Sequence, residues 1–164
     1  MNLKKGDILH CTSNGWLGKA IQFFTRSRIN HTALVLEVWN ELYIIDSQRD
    51  GTNLRKAEDW IKEFNYKYII SRPKNQKDIY LNNISKRALS KSGITPYDFK
   101  SLFWYQPVYQ ITGNWKGKEG PDAEGKMYCS EYVAWVYELK NWWKLSPQDV
   151  FDYMYRSKQF DIIN

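Results

Sequence analysis

The chain has 164 residues, of which 43% are hydrophobic and 16% aromatic, a composition that builds a sizeable core and excludes a disordered chain. Its 24 basic and 18 acidic residues leave a net charge of +6, spread without a long run, so attraction to anionic partners is general and carries no specificity. Two cysteines without paired spacing exclude a disulfide framework and a zinc motif, and no stretch approaches the roughly 18 apolar residues of a membrane span.

The basic N-terminus runs into Gly6-Asp7, not into an apolar segment, so no signal peptide is expected, and a cytoplasmic, reducing location fits best. Ile8 to Thr12 reads as a short strand. Ser13-Asn14-Gly15 is a turn that caps a helix from Trp16 to about Phe24, with Leu17, Ala20, Ile21 and Phe24 on one face. A polar loop from Thr25 to Asn30 carries Arg26 and Arg28. His31 to Trp39 is apolar and β-branched, hence a strand. Asn40-Glu41 reads as its hairpin turn, with Leu42 to Asp46 returning. Asp50-Gly51 marks another turn, Ala57 to Phe64 a short helix, and Tyr66 to Ser71 a further strand closed by Arg72-Pro73.

From Asp78 onward the pattern is helical. A helix from Asp78 to Ser92 stops at Gly93, and Thr95-Pro96-Tyr97-Asp98 leads into another from Phe99 to about Tyr105. Trp115 to Gly125 is a loop rich in glycine and lysine. A helix then runs from Tyr128 to about Asn141, and Ser146-Pro147 opens a last one, Gln148 to Tyr155. The expected class is α+β, a small antiparallel sheet packed by helices in a single domain over 1–164.

The chemistry centres on Cys129, delivered by a loop to the first turn of a helix. Unpaired N–H groups and the positive end of the helix dipole favour a thiolate there, which makes the residue a candidate nucleophile. The competing reading is a small core residue. A thiolate needs a base, and the chain has two histidines. His10 and Cys11 are neighbours on one strand and face opposite ways, so they form no dyad. His31 opens a strand after a polar loop. With Asn40-Glu41 as the turn, the register sets Asp46 opposite Val35, beyond direct reach of His31. No metal site is expected, because His10, Cys11, His31 and Cys129 have no ligand spacing, and no cofactor is implied.

Gly6-Asp7-Ile8-Leu9, Thr25-Arg26-Ser27 before Asn30-His31-Thr32-Ala33-Leu34-Val35, Ile45-Asp46, Arg72-Pro73, Gly93 to Phe99 and Tyr128-Cys129-Ser130-Glu131 occur in that order. The set resembles the circularly permuted papain-like proteins of the NlpC superfamily, in particular the YiiX-like group, over roughly Gly6 to Val150. In that group the histidine strand precedes the cysteine helix. The resemblance implies a nucleophile at Cys129, a base at His31 and a third polar residue at Asp46, where the family often has glutamate. It also implies Tyr97 as an oxyanion donor beside the Cys129 N–H.

The expected function is thiol-dependent hydrolysis of an amide, peptide or peptidoglycan-like, or of an ester. The alternatives are acyl transfer on a lipid-like substrate and a binding module with a basic aromatic surface, Tyr105 to Lys118. The expected partner is a small peptide, cell-wall or lipid-like substrate, without specific nucleic-acid recognition. Replacing Asp46 by alanine is expected to slow turnover and spare folding, as befits a strand end.

Overall fold

The computed structural model describes residues 2–13, 15–25, 27–64 and 66–164, and of Leu17 and Phe24 only the backbone. Asn14 of the expected turn and Arg26 of the expected loop therefore lie outside the described residues, as do the side chains of Leu17 and Phe24 on the expected helix face. The run Thr32 to Leu36 is fully buried, because its strand is covered on both faces. That strand, β2 (His31–Val38), lies in a six-stranded sheet with β1 (Ile8–Thr12), β3 (Glu41–Gln48), β4 (Gly51–Lys56), β5 (Lys67–Pro73) and β6 (Phe160–Ile163). The spatial order is β4-β3-β2-β1-β5-β6, every neighbouring pair antiparallel.

Alternation along the strands sorts the core into two layers. Ile8, Leu34, Leu36 and Ile45 face α5 (Cys129–Val136), where Tyr132, Val133 and Val136 meet them. Leu9, Cys11, Ala33, Val35, Ile44 and Ile70 face the other way, under Trp60 of α2 (Ala57–Phe64). The other helices are α1 (Trp16–Thr25), α3 (Asp78–Leu89), α4 (Gln106–Thr112) and α6 (Pro147–Ser157). A π-helical turn, Ser101–Tyr105, runs directly into α4.

The structure departs from the expected boundaries in ways that matter. Residues β2 and β3 pair from Leu34↔Ile45 to Val38↔Glu41, so the hairpin turn is Trp39-Asn40, both at positive φ (51° and 63°). Such a turn matches the strand twist, and the sheet imposes it although tryptophan disfavours that conformation. β4 and β6 were not expected as strands. The helix that starts at Cys129 ends at Val136 rather than Asn141, with Glu138 and Asn141 in left-handed conformations.

One close approach positions the wall of the site. Asn30 accepts from the Ser13 N–H and donates to the Ser13 carbonyl, each at 2.9 Å. Gly18 of α1 packs against this pair; a Cβ there would lie 2.6 Å from Asn30 Nδ2. Glycine thus lets α1 close over the strand end that carries His31.

Candidate active site

The segment before α5 is fastened on two sides. The Met127 N–H donates to the Pro96 carbonyl (3.1 Å), and Ser47 Oγ donates to the Met127 carbonyl (2.7 Å). The Tyr128 N–H then donates to Glu131 Oε2 (3.1 Å), closing the first turn, and Cys129 is the first helical residue. Every residue of α5 is buried. Ser130 Oγ and the Tyr128 hydroxyl both donate to the Leu145 carbonyl, and Gln106 Nε2 donates to the Tyr128 hydroxyl. The sulfur therefore has a fixed position at a helix N-terminus, where the dipole stabilises negative charge.

His31 is the first residue of β2. Carrying the observed register one step further sets Asp46 beside Ala33, so His31 is its diagonal neighbour on the same face. The expected register was off by two residues, and a shift of two preserves the face while closing the gap. His31 Nε2 lies 2.8 Å from Asp46 Oδ2. The same oxygen accepts from Gln48 Nε2 (2.7 Å) and Trp60 Nε1 (3.0 Å), while Arg55 Nη1 reaches Oδ1 at 3.4 Å. Asp46 is fully buried, so its carboxylate is held by four donors and exchanges nothing with solvent. Its neighbour Ser47 points to the opposite face, toward the Met127 carbonyl.

Nε2 of His31 is occupied by Asp46, and Cys129 is the other group that acts on the ring. Burial alone would push the imidazole pKa down. The charge of Cys129, hydrogen bonds to Asp46 and to Cys129, and the Asp46 charge outweigh it and carry the value up to about 10. Tyr66 packs edge-on against the His31 ring at 5.9 Å and limits its rotation.

A cleft of about 800 Å³ opens over this pair, lined among others by His31, Ser47, Gln48, Tyr66 and Tyr97. Cys129 itself has no exposed surface, whereas His31, Ser47 and Tyr97 line the cleft. Tyr97 is 7% exposed. Burial and the Cys129 charge push its hydroxyl well above the ordinary tyrosine range, so it stays a proton donor. Among the described residues its hydroxyl makes no hydrogen bond.

The remaining candidates stand apart. His10 lies on the opposite face, with Nε2 2.9 Å from Ser71 Oγ and its ring edge-on to Phe151. Burial pushes its pKa down to about 3. Burial likewise raises the Cys11 thiol well above its usual range, and it donates weakly to the Leu9 carbonyl. Among the described residues no three His, Cys, Asp or Glu side chains are grouped to hold a metal.

Sequence reasoning missed Gln48, Arg55 and Trp60. Gln48 was legible, since i and i+2 share a strand face. Arg55 sits on the unexpected β4, and Trp60 reads from sequence only as the core face of a helix.

Residues 2–159 match the family described as permuted papain-like amidase enzyme, YaeF/YiiX, C92 family. No curated protein matches the chain. Among solved structures, the chain is similar to yiiX from Escherichia coli O157:H7, described as a metalloprotein, with 20% identity and a TM-score of 0.62. That similarity covers 100% of this chain and 98% of the other.

Proposed function

The chain belongs to the permuted papain-like amidases of the C92 family, and from that premise we propose that it is a cysteine amidase working as one domain, with Cys129 as nucleophile and His31 as acid and base. The observation that carries this reading is His31, held on one nitrogen by Asp46 at 2.8 Å and raised in pKa by Cys129.

The steps follow from the groups present. The Cys129 thiolate attacks the amide carbonyl, and the carbonyl π electrons move onto oxygen. The Cys129 N–H and the Tyr97 hydroxyl donate to that oxyanion. As the C–N bond breaks, the His31 imidazolium gives its proton to the departing amine, leaving a thioester. Water then attacks the thioester with His31 as base, releasing the acid and restoring the ion pair. Asp46 keeps the ring oriented throughout and does not itself take a proton. Both cysteines are free and buried, which suits a reducing cytoplasm.

The test is alkylation of Cys129 by iodoacetamide across pH, with hydrolysis of a panel of N-acyl amides in parallel. The expected result is labelling of Cys129 that is faster than that of Cys11 across the pH range and is slowed in His31→Ala. Cys129→Ala and His31→Ala each lower hydrolysis by about 10⁴-fold or more, and Tyr97→Phe lowers kcat by about 10²-fold. Labelling of Cys129 no faster than that of Cys11, or hydrolysis surviving Cys129→Ala, overturns the assignment.

A further inference from the structure

Two neighbouring helices turn large apolar side chains outward beside the cleft. On α1, Trp16 (76% exposed) and Phe23 (78%) are seven residues apart and share one face, while Gly18 and Ile21 on the opposite side line the cleft. Packed against α1 is α4. Along the helical run into α4, Trp104 (67%) and Ile111 (83%) repeat the same spacing. Soluble surfaces carry single exposed apolar residues routinely, but two adjacent helical stripes of this size mark a contact surface.

Charge selects the partner. Residues 8–36 and 99–118 contain no aspartate or glutamate, and they carry Lys19, Arg26, Arg28, Lys100, Lys116 and Lys118. These six cations equal the whole net charge of the chain. Among the described residues Lys19, Arg28, Lys100, Lys116 and Lys118 form no ion pair with a carboxylate, whereas Lys56, Arg72, Lys74, Arg87 and Lys91 are each paired with one elsewhere. An exposed Trp/Phe/Ile surface on segments that carry cations and no carboxylates, with Lys100 over the Tyr105 ring at 5.2 Å, is the composition of an element that lies in a lipid–water interface.

Single-stranded nucleic acid fits less well. Trp115 is already packed edge-on against Tyr105 and Tyr109, and Ile111 offers no ring for a base to stack on.

We propose that the outer face of α1 and α4 docks the protein on an anionic membrane surface, with Trp16, Trp104 and Ile111 entering the interface and Lys19 and Lys100 meeting lipid headgroups. Because α1 is the wall between this face and the cleft, docking brings the cleft to the bilayer, where amphiphilic substrates are concentrated. The surface claim does not depend on the chemistry assigned to Cys129.

The experiment is co-sedimentation of the full chain with vesicles of phosphatidylcholine alone and of phosphatidylcholine with about a third phosphatidylglycerol, at low and high salt. The expected result is binding to the anionic vesicles, weakened by salt, with a blue shift of tryptophan emission. A Trp16→Ser, Trp104→Ser double variant and a Lys19→Glu, Lys100→Glu double variant each bind about tenfold or more weaker. Circular dichroism and thermal melts check that both are folded.

Trp39→Asn, at a hairpin tip 92% exposed and flanked by Glu37 and Glu41, binds as the parent does. Absence of binding to anionic vesicles overturns the proposal. So does equal binding by both folded double variants, an equal loss in Trp39→Asn, or preference for a single-stranded oligonucleotide. Self-association of the parent that the Trp16→Ser, Trp104→Ser variant abolishes, without vesicle binding, assigns the face to a second copy instead.

Discussion

His10 and His31 stand on adjacent strands, His10 buried and His31 at the cleft with its side chain 12% exposed, and their pKa values move in opposite directions, to about 3 and about 10. The register places Cys11, not His10, directly across from His31, so the two rings occupy opposite faces of the same sheet. His10 has one neutral partner, Ser71, and its Nδ1 has none among the described residues. Water is gone and nothing replaces it, so the charged form is expelled. His31 loses most of its water as well but gains the raising influence of Cys129 and Asp46. Burial therefore has no fixed consequence for an imidazole; the sign depends on whether the fold supplies anions in place of solvent.

The largest break in this contrast comes from removing the anions. Cys129→Ala, beyond its loss of hydrolysis, takes away the largest raising influence on His31, and its ring titration by NMR moves back toward 6.5. Asp46→Asn keeps the shape but offers His31 a neutral partner, lowering kcat by about 10²- to 10⁴-fold. Asp46→Ala goes further. The expectation that it spares folding is revised, because Asp46 is fully buried and its loss strands donors from Gln48, Arg55 and Trp60. A destabilisation of about 3 kcal/mol is expected in chemical denaturation, and unchanged stability would mean that water replaces the carboxylate.

A pH series of unfolding free energies sharpens the contrast. His10 is depressed below its unfolded value near 6.5, so the unfolded chain takes up a proton that the folded one refuses. Its contribution is present above about 6.5 and is lost on acidification toward 3, at about 1.4 kcal/mol per pH unit. His31 is raised, so its contribution is complete below about 6.5 and drains as pH climbs toward 10. His10→Phe flattens the acid limb alone. The smallest effect is Ser71→Ala, which removes one neutral hydrogen bond, lowers stability by about 1 kcal/mol, and leaves Cys129 alkylation unchanged.

Much of this arrangement was legible in the chain. A cysteine after Gly117, Gly120, Pro121 and Gly125, followed by buried helical spacing, located the head of α5. The run His31 to Val38 announced a central strand. The pairing of His31 with Asp46 was misjudged through a single turn, because Asn40-Glu41 suits a hairpin by composition whereas the sheet twist selects Trp39-Asn40. β4 was hidden because Thr52-Asn53-Leu54-Arg55-Lys56 is mostly polar. It is an edge strand, and its one arginine, Arg55, serves Asp46. Trp60 donates to the same carboxylate from a helix whose sequence reads only as amphipathic. Groups that converge from separate elements on one buried atom leave no local trace.

Asp46 and Ser47 are consecutive on β3, one gripping the imidazole's orienting bond and the other the carbonyl two residues before the sulfur. A single strand thus serves as common mount for both halves of the proposed nucleophile–base pair. In the proposed reaction a displacement of β3 would carry His31 and the Met127 carbonyl together, so alignment would follow from a shared suspension and would not require rigidity in the walls of the cleft.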